Sequence, residues 1–467
     1  VSQDQKDVIK TFADYNLFDK ITTLTAKYVG LPREPVDGYF FNPYPQRLCS
    51  LNESLKMWVL RESGDYKSFL ALTKEINALE GREPSPKDKH VIAMAEWLDE
   101  KIKQLPPAVI YDKHLKPRII IGLMVWGAWT HKMLETLFPT WLTEGNIKSL
   151  CEKFNVIIHI ITTEIDESNI RANNSTKTLE KLGTHFVYEY ITEELSKGSE
   201  TYWLIGAGVS LQLAYAKRHN AAYHHAMPDF VYCNNFFAEI TRLSETHDNI
   251  LMGCIDTDEG VIKKWLKNYT KNDIISVCAE DLAAITLNSV NISDFFGIVN
   301  TRPEPNFMPG KHRLFWEAPD TLHMAAPHLQ PVYLSAKTVA AQPDRFYISI
   351  DSELDLLIPA GVPFYIPQEC DDLFICGMTN QSSRPPQQSY IHLSNYGQAI
   401  WDAIKMRDCA KFFFVAEVHK LNRSLRPQIT PMAKARILQE QEMLKGVVLA
   451  SDPWIGKTLP KKRQHDL

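Results

Sequence analysis

The densest apolar, β-branched stretch of the chain lies between Ile119 and Thr163. Two runs, IIIGLMVW and VIIHIITT, flank a segment whose apolar residues recur at helical spacing. That order predicts a β-α-β unit, the opening of a parallel sheet. The alternation continues downstream. A helix is expected near NSTKTLEKLG, a strand at HFVYEYI, and a loop running into a helix over Tyr202 to His219. AYHHAMPDFVYCNN reads as strand and loop, FFAEITRLSETH as a helix and NILMGCID as a further strand. Strands that alternate with helices define the α/β class: a mostly parallel sheet flanked by helices. Ligands of such sheets bind at the carboxyl ends of the strands. Here the first such end is Trp126-Gly127, an aromatic plane beside a residue with no side chain.

The flanking regions read differently. Residues 1 to about 115 are mainly helical in pattern, interrupted by the proline- and aromatic-rich LPREPVDGYFFNPYPQR. Residues 336 to 400 are irregular, with FYISIDSELDLLIP and DDLFICGMT as short strands. Residues 401 to 467 read as two helices, WDAIKMRDCAKFFFVAEVHKLNRSL and MAKARILQEQEMLKG, with a basic end. Three parts are therefore expected: a helical region over 1–115, an α/β domain over 116–400 and a helical tail over 401–467.

Composition narrows the class. At 45% hydrophobic and 23% charged residues the chain can bury a full core. A net charge of -5 gives no electrostatic footprint for nucleic acid. No apolar run approaches 18 residues and no amino-terminal signal pattern is visible, so a cytoplasmic protein without a transmembrane segment is expected. The eight cysteines are scattered, none in C-x-x-C spacing, which points to free thiols rather than disulfides or a zinc site.

Five motifs could carry chemistry. Gly206-Ala207-Gly208 could open a dinucleotide site, but Leu211 stands where the third small residue belongs, and a tightly packed helix start competes. Asp229, at the end of an apolar strand and after His224 and His225, suits a hard metal ion or a sugar hydroxyl; a turn cap is its structural alternative. Asp256-Thr257-Asp258-Glu259-Gly260 fails the EF-hand pattern as a metal site; an acidic helix start explains it equally well, and a solvated turn is the preferred reading. His312, Arg313, Glu317, Asp320, His323 and His328 form the densest polar-aromatic cluster. Asp351 and Glu353 share one face if their strand continues, as a base and its partner would; helix capping is equally open.

Several of these segments, in order, resemble a bacterial glycosyltransferase-like family with a GT-A-type nucleotide-sugar fold. The matching pieces are Val125-Trp126-Gly127, Pro139 to Ile147, Thr162-Thr163, Leu211 to Ala216, Pro228 to Asn235, Pro327 to Pro331 and Ser349 to Glu353. The likeness spans about residues 116 to 380 and rests on the order of the seven pieces. It implies a nucleotide-sugar donor bordered by Trp126, Gly127 and Thr163, and a divalent cation, Mn²⁺ or Mg²⁺, on Asp229 and His328. It further implies acceptor orientation or base catalysis by Asp351 and Glu353, with a carbohydrate or protein as acceptor. Such enzymes usually carry D-x-D where this chain reads Met227-Pro228-Asp229, so one carboxylate is missing. That departure keeps open a catalytically inactive binding or scaffold protein. A dinucleotide- or S-adenosylmethionine-dependent enzyme built on Gly206 and Gly208 is a third reading, and it requires TYWLI to be a central strand.

Overall fold

The computed structural model describes residues 66–80, 83, 86–108, 114–198, 201–289, 306–307, 313–318, 321–326, 330–347, 357–358, 362–367, 373–379, 391–392 and 414–419. The chain divides into two compact units. One comprises Val1–Leu105, Glu193–Leu211 and Pro343–Ser349, the other Pro106–Thr192, Gln212–Gln342 and Ile350–Leu467.

In the smaller unit, α1 (Tyr66–Glu80) and α2 (Pro86–Gln104) are helical, as their spacing predicts. Leu72, Val91, Met94, Ala95 and Leu98 are buried. His90 hydrogen-bonds the Leu195 carbonyl at 3.1 Å. Its ring occupies the place of a side chain at Gly198, where a Cβ would come within 1.9 Å.

The larger unit opens with β1 (Arg118–Met124) and α3 (Ala128–Lys132), which runs through a π-helical turn, Met133–Leu137, into α4 (Phe138–Trp141). Then come α5 (Ile147–Lys153), β2 (Asn155–Thr162), α6 (Glu164–Ala172), α7 (Asn174–Lys181) and β3 (His185–Tyr190). The chain then passes through α8 (Glu193–Lys197) and the first part of α9 (Thr201–Arg218), both of the smaller unit. It returns to the larger one at Gln212 for the rest of α9, β4 (Ala221–His225), β5 (Phe230–Tyr232) and α10 (Phe236–Leu243). Next are β6 (Asn249–Met252), β7 (Ile255–Asp258), α11 (Glu259–Leu266), the hairpin β8 (Thr270–Lys271) and β9 (Ile274–Ile275), and α12 (Ala279–Asn288). The later elements are β10 (Asn306–Phe307), β11 (Arg313–Ala318), β12 (Thr321–Ala326), β13 (Gln330–Leu334) and α13 (Ala336–Ala341). β14 (Ile375–Thr379), β15 (Ile391–His392) and β16 (Phe414–His419) complete the described residues.

The central sheet has the order β3-β2-β1-β4-β13-β6. β3, β2, β1 and β4 are mutually parallel, and β13 runs antiparallel to both β4 and β6. The fold is therefore α/β with a mostly parallel sheet flanked by helices, as the alternation predicts. β1 and β2 are buried along nearly their whole length, which is why they read as unbroken apolar runs. Two smaller sheets accompany it, β5-β14-β7 and the antiparallel β11-β12-β16.

A polar layer lies inside this core. Gly122 of β1 pairs in register with His159 on one side and His225 on the other. A Cβ at Gly122 would meet Gln212 Oε1 at 2.4 Å and the Tyr223 hydroxyl at 2.7 Å, so glycine makes room for them. Gln212 Nε2 donates to the carbonyls of Leu123 (2.8 Å) and His159 (3.2 Å), and Tyr223 donates to Gln212 Oε1 at 3.0 Å. The His159 ring lies 4.5 Å from that of Tyr215, which stacks on His219 at 4.2 Å.

Two expectations are overturned. Tyr202 to Ile205 belong to helix α9, not to a loop or strand; Trp203, Leu204, Ala207, Val209, Leu211 and Ala216 are all buried, so the helix lacks the polar face that would have revealed its period. Within the helix expected over 401–425, residues 414–419 form β16, paired antiparallel with β12 over six positions. NILMGCID also divides, into β6 and β7, which join different sheets.

Candidate functional site at the carboxyl end of the sheet

The strand order changes direction beside β1. From β1 the chain steps to β2 and β3 on one side, then returns to place β4 on the other. Such a reversal leaves a crevice outside the carboxyl ends of the two flanking strands, where ligands of open α/β sheets bind. Here those ends lead into Trp126-Gly127 from β1 and into the Met227-Pro228-Asp229 turn from β4. Ala226 N–H still donates to the Gly122 carbonyl at 3.0 Å, so the two strands stay in register up to that point.

Gly127 and Thr163 come together, joined by Asp166, with Trp126 preceding Gly127 in the same loop. Its Oδ2 accepts from the Gly127 N–H at 2.9 Å and from the Thr163 hydroxyl at 2.7 Å. Thr163 is the N-cap of α6, its Oγ1 accepting from the Asp166 N–H at 3.2 Å. One buried carboxylate thus serves the amino ends of α3 and α6, where negative charge is favoured by both helix dipoles. Gly127 has φ 59° and ψ -129°, a conformation open essentially to glycine. It is exposed, and a Cβ there would find nothing within 4 Å. Downstream, the π-helical turn marks the helix that leaves this loop; such turns concentrate at functional sites.

Asp229 lies in the turn between β4 and β5, and its carbonyl accepts from Met378 N–H of β14 at 2.9 Å. Asp256 pairs with Gly377 in the same small sheet, and its Oδ1 lies 2.8 Å from where a Gly377 Cβ would stand. Both carboxylates act on the Cys376 thiol. Burial pushes that thiol up to about 12, and the charges of Asp256 and Asp229 add to the rise. Asp256 is level with Gly377 in β7, whereas Asp229 stands in the turn before β5, so the two come from separate segments rather than from one D-x-D.

The other sequence candidates separate from this crevice. Asp258 caps α11, its Oδ1 accepting from Val261 N–H at 2.9 Å, so the acidic run is a helix start. His224 is buried, with Nε2 2.9 Å from the Tyr232 hydroxyl. Gly206 and Gly208 lie inside α9, which removes the strand-turn-helix a dinucleotide fingerprint needs. His328, Asp351 and Glu353 lie outside the described residues. Asp166 was not singled out from the sequence, yet Thr163-x-x-Asp166 carries the spacing of a capping box.

Among the described residues no three or more His, Cys, Asp or Glu gather as ligands for a metal ion. A hard divalent ion held by one or two carboxylates plus substrate phosphates still fits a lone Asp229. No helix among these residues is long and apolar enough to cross a membrane.

Comparison with known proteins gives little beyond this. No protein-family model matches the sequence, and no curated protein does. Solved structures with a likeness include a mannosyltransferase from Pyrobaculum calidifontis in complex with GDP-Man and Mn2+, at 10% identity and TM-score 0.29 over 80% of this chain and 83% of that one. Mouse xyloside xylosyltransferase 1 aligns at 8% identity and TM-score 0.19, over 33% of this chain and 59% of that one. A Bacillus anthracis structure named as a glucose-1-phosphate thymidylyltransferase, in complex with a sucrose, aligns at 12% identity and TM-score 0.19, over 30% of this chain and 56% of that one. At TM-scores of this size the likeness carries no argument, and the fold and the site rest on the chain itself.

Proposed function

We propose that this chain is a glycosyltransferase of GT-A type, which moves a sugar from a nucleotide-sugar donor to a carbohydrate or protein acceptor. The observation that supports it best is the reversal of strand order between β1 and β4, whose carboxyl ends lead into the Trp126-Gly127 loop and the turn that holds Asp229. Trp126, Gly127, Thr163 and Asp166 border the nucleotide. Asp166 Oδ2 is engaged by the loop itself, so it holds the nucleotide edge in shape. Asp229, with His328, holds a divalent ion, Mn²⁺ or Mg²⁺, which supplies charge neutralisation for the departing diphosphate. Asp351 and Glu353 orient the acceptor hydroxyl or take its proton.

The test is thermal-shift titration of the full chain with UDP, GDP and CMP, with and without Mn²⁺. A nucleotide-dependent rise that grows with Mn²⁺, and loses the Mn²⁺-dependent part in Asp229→Ala, is the expected outcome. No shift with any nucleotide refutes the donor site.

One observation favours a second reading, a non-catalytic relative that binds sugar or nucleotide. The turn has Met227 where a first carboxylate would stand, and Asp256 comes from a different segment, β7. Nucleotide binding without donor hydrolysis or transfer, at any Mn²⁺ concentration, decides for that reading.

A further inference from the structure

The loop that leaves β1 carries a second tryptophan, Trp129, in the first turn of α3. Its indole is exposed although Thr130 beside it is buried. Lys132 Nζ lies 4.3 Å from the ring centroid and covers one face. Lys132 is itself held, 2.6 Å from the Glu259 carboxylate of α11, with only 14% and 19% of the two side chains exposed. Glu259 also meets Lys263 at 3.0 Å, and Lys263 reaches Glu135 of the π-helical turn at 3.2 Å. A chain of alternating charges therefore fixes the cation that backs the indole. Two residues earlier, Gly127 leaves open space.

An aromatic plane backed on one face and 39% exposed in all is prepaid in side-chain entropy, so a flat apolar ligand face gains more by stacking on it. A pyranose offers such a face in its axial C–H groups. Its hydroxyls both donate and accept, which matches a rim of carboxylate and ammonium groups. A nucleobase also stacks, but it asks for in-plane partners fixed at the ring edge. The groups beside Trp129 are long, mutually paired side chains instead.

We propose that Trp129, backed by Lys132 and flanked by Glu259, is a stacking platform for a sugar ring of the acceptor. This rests on the transferase reading above only for the word acceptor; the platform itself is a carbohydrate-binding subsite in either case.

The test uses the full chain on an array of neutral glucose-, galactose- and mannose-containing oligosaccharides, followed by calorimetric titration of the best binder. UDP and GDP are titrated in parallel. Trp129→Ala is expected to weaken saccharide binding roughly tenfold or more, an amount typical of an aromatic anchor, while Trp129→Phe retains most of it. Nucleotide affinity is expected to stay unchanged in both. Saccharide binding by the wild type without nucleotide binding leaves the platform standing and removes the transferase. Absence of wild-type saccharide binding, equal binding by Trp129→Ala, or loss of nucleotide rather than saccharide affinity each overturns the platform. Near-ultraviolet circular dichroism of both variants separates loss of binding from loss of fold.

Discussion

His159 makes the core acid-sensitive, by an amount that can be worked out. Its side chain is fully buried in the middle of β2, and neither ring nitrogen has a hydrogen-bond partner among the described residues. Burial, with a smaller contribution from His219, lowers its pKa from 6.5 to about 3. The unfolded chain therefore takes up a proton near pH 6.5 that the folded chain refuses until about pH 3. Stability from this residue is complete above pH 6.5 and is lost as pH falls between those values. The linkage amounts to roughly 2 kcal/mol at pH 5 and roughly 4 kcal/mol at pH 3. The perturbation is His159→Phe, which keeps a ring against Tyr215 and removes the titrating group. Urea unfolding of both proteins, followed by far-ultraviolet circular dichroism at pH 7, 6 and 5, isolates the effect, since other titrating groups are common to both. The variant is expected to gain about 2 kcal/mol relative to wild type between pH 7 and pH 5. Parallel pH profiles would show that His159 is hydrated or paired in solution, and would sink the argument.

Gly122→Ala is expected to lose about 1–3 kcal/mol, because a methyl group would collide with both Gln212 and Tyr223 in a filled layer; a thermal melt equal to wild type contradicts this. Gly127→Ala has space but the wrong backbone, so a cost of about 1–3 kcal/mol is expected from strain alone; Gly127→Asn, which tolerates positive φ better, should cost less, and the reverse ranking refutes it. Asp166→Ala is expected to free the Gly127 N–H and the Thr163 hydroxyl together, lowering nucleotide affinity about tenfold or more while the melt falls by only a few degrees. Unchanged affinity by titration would mean that the loop is not the nucleotide edge.

The inner strands of the parallel half were legible because they are buried on both faces, whereas β3, at the sheet edge, is only half-buried. IIIGLM and NVIIHIIT have no polar alternation, and turn residues bound them. Helix α10 was legible for the opposite reason: Phe236, Phe237, Ile240 and Leu243 form one clean stripe. Helix α9 was hidden because it is buried all round, so TYWLIGAGVS offers no period, and its glycines imitate a phosphate loop. β16 was hidden because FVAEVH acquires its strand form from pairing with β12, almost a hundred positions earlier. At the site, Trp126, Gly127 and Thr163 were visible as strand ends, but Asp166 was not. Its role depends on an amide 39 positions away, which no local pattern encodes.

The place of β13 has a consequence for how the protein is made. The strand that lies between β4 and β6 is supplied by Gln330–Leu334, more than a hundred residues after β4 leaves the ribosome. At ordinary elongation rates that interval lasts on the order of 5–20 s. Through it, β1, β2, β3 and β4 can already be paired, while β4 shows a bare edge and β6 has no neighbour in the sheet. Fragments that end before residue 330 keep that edge permanently. Nascent chains stalled within the interval should therefore be the ones that recruit chaperones or aggregate, and β13 is the element whose arrival closes the sheet.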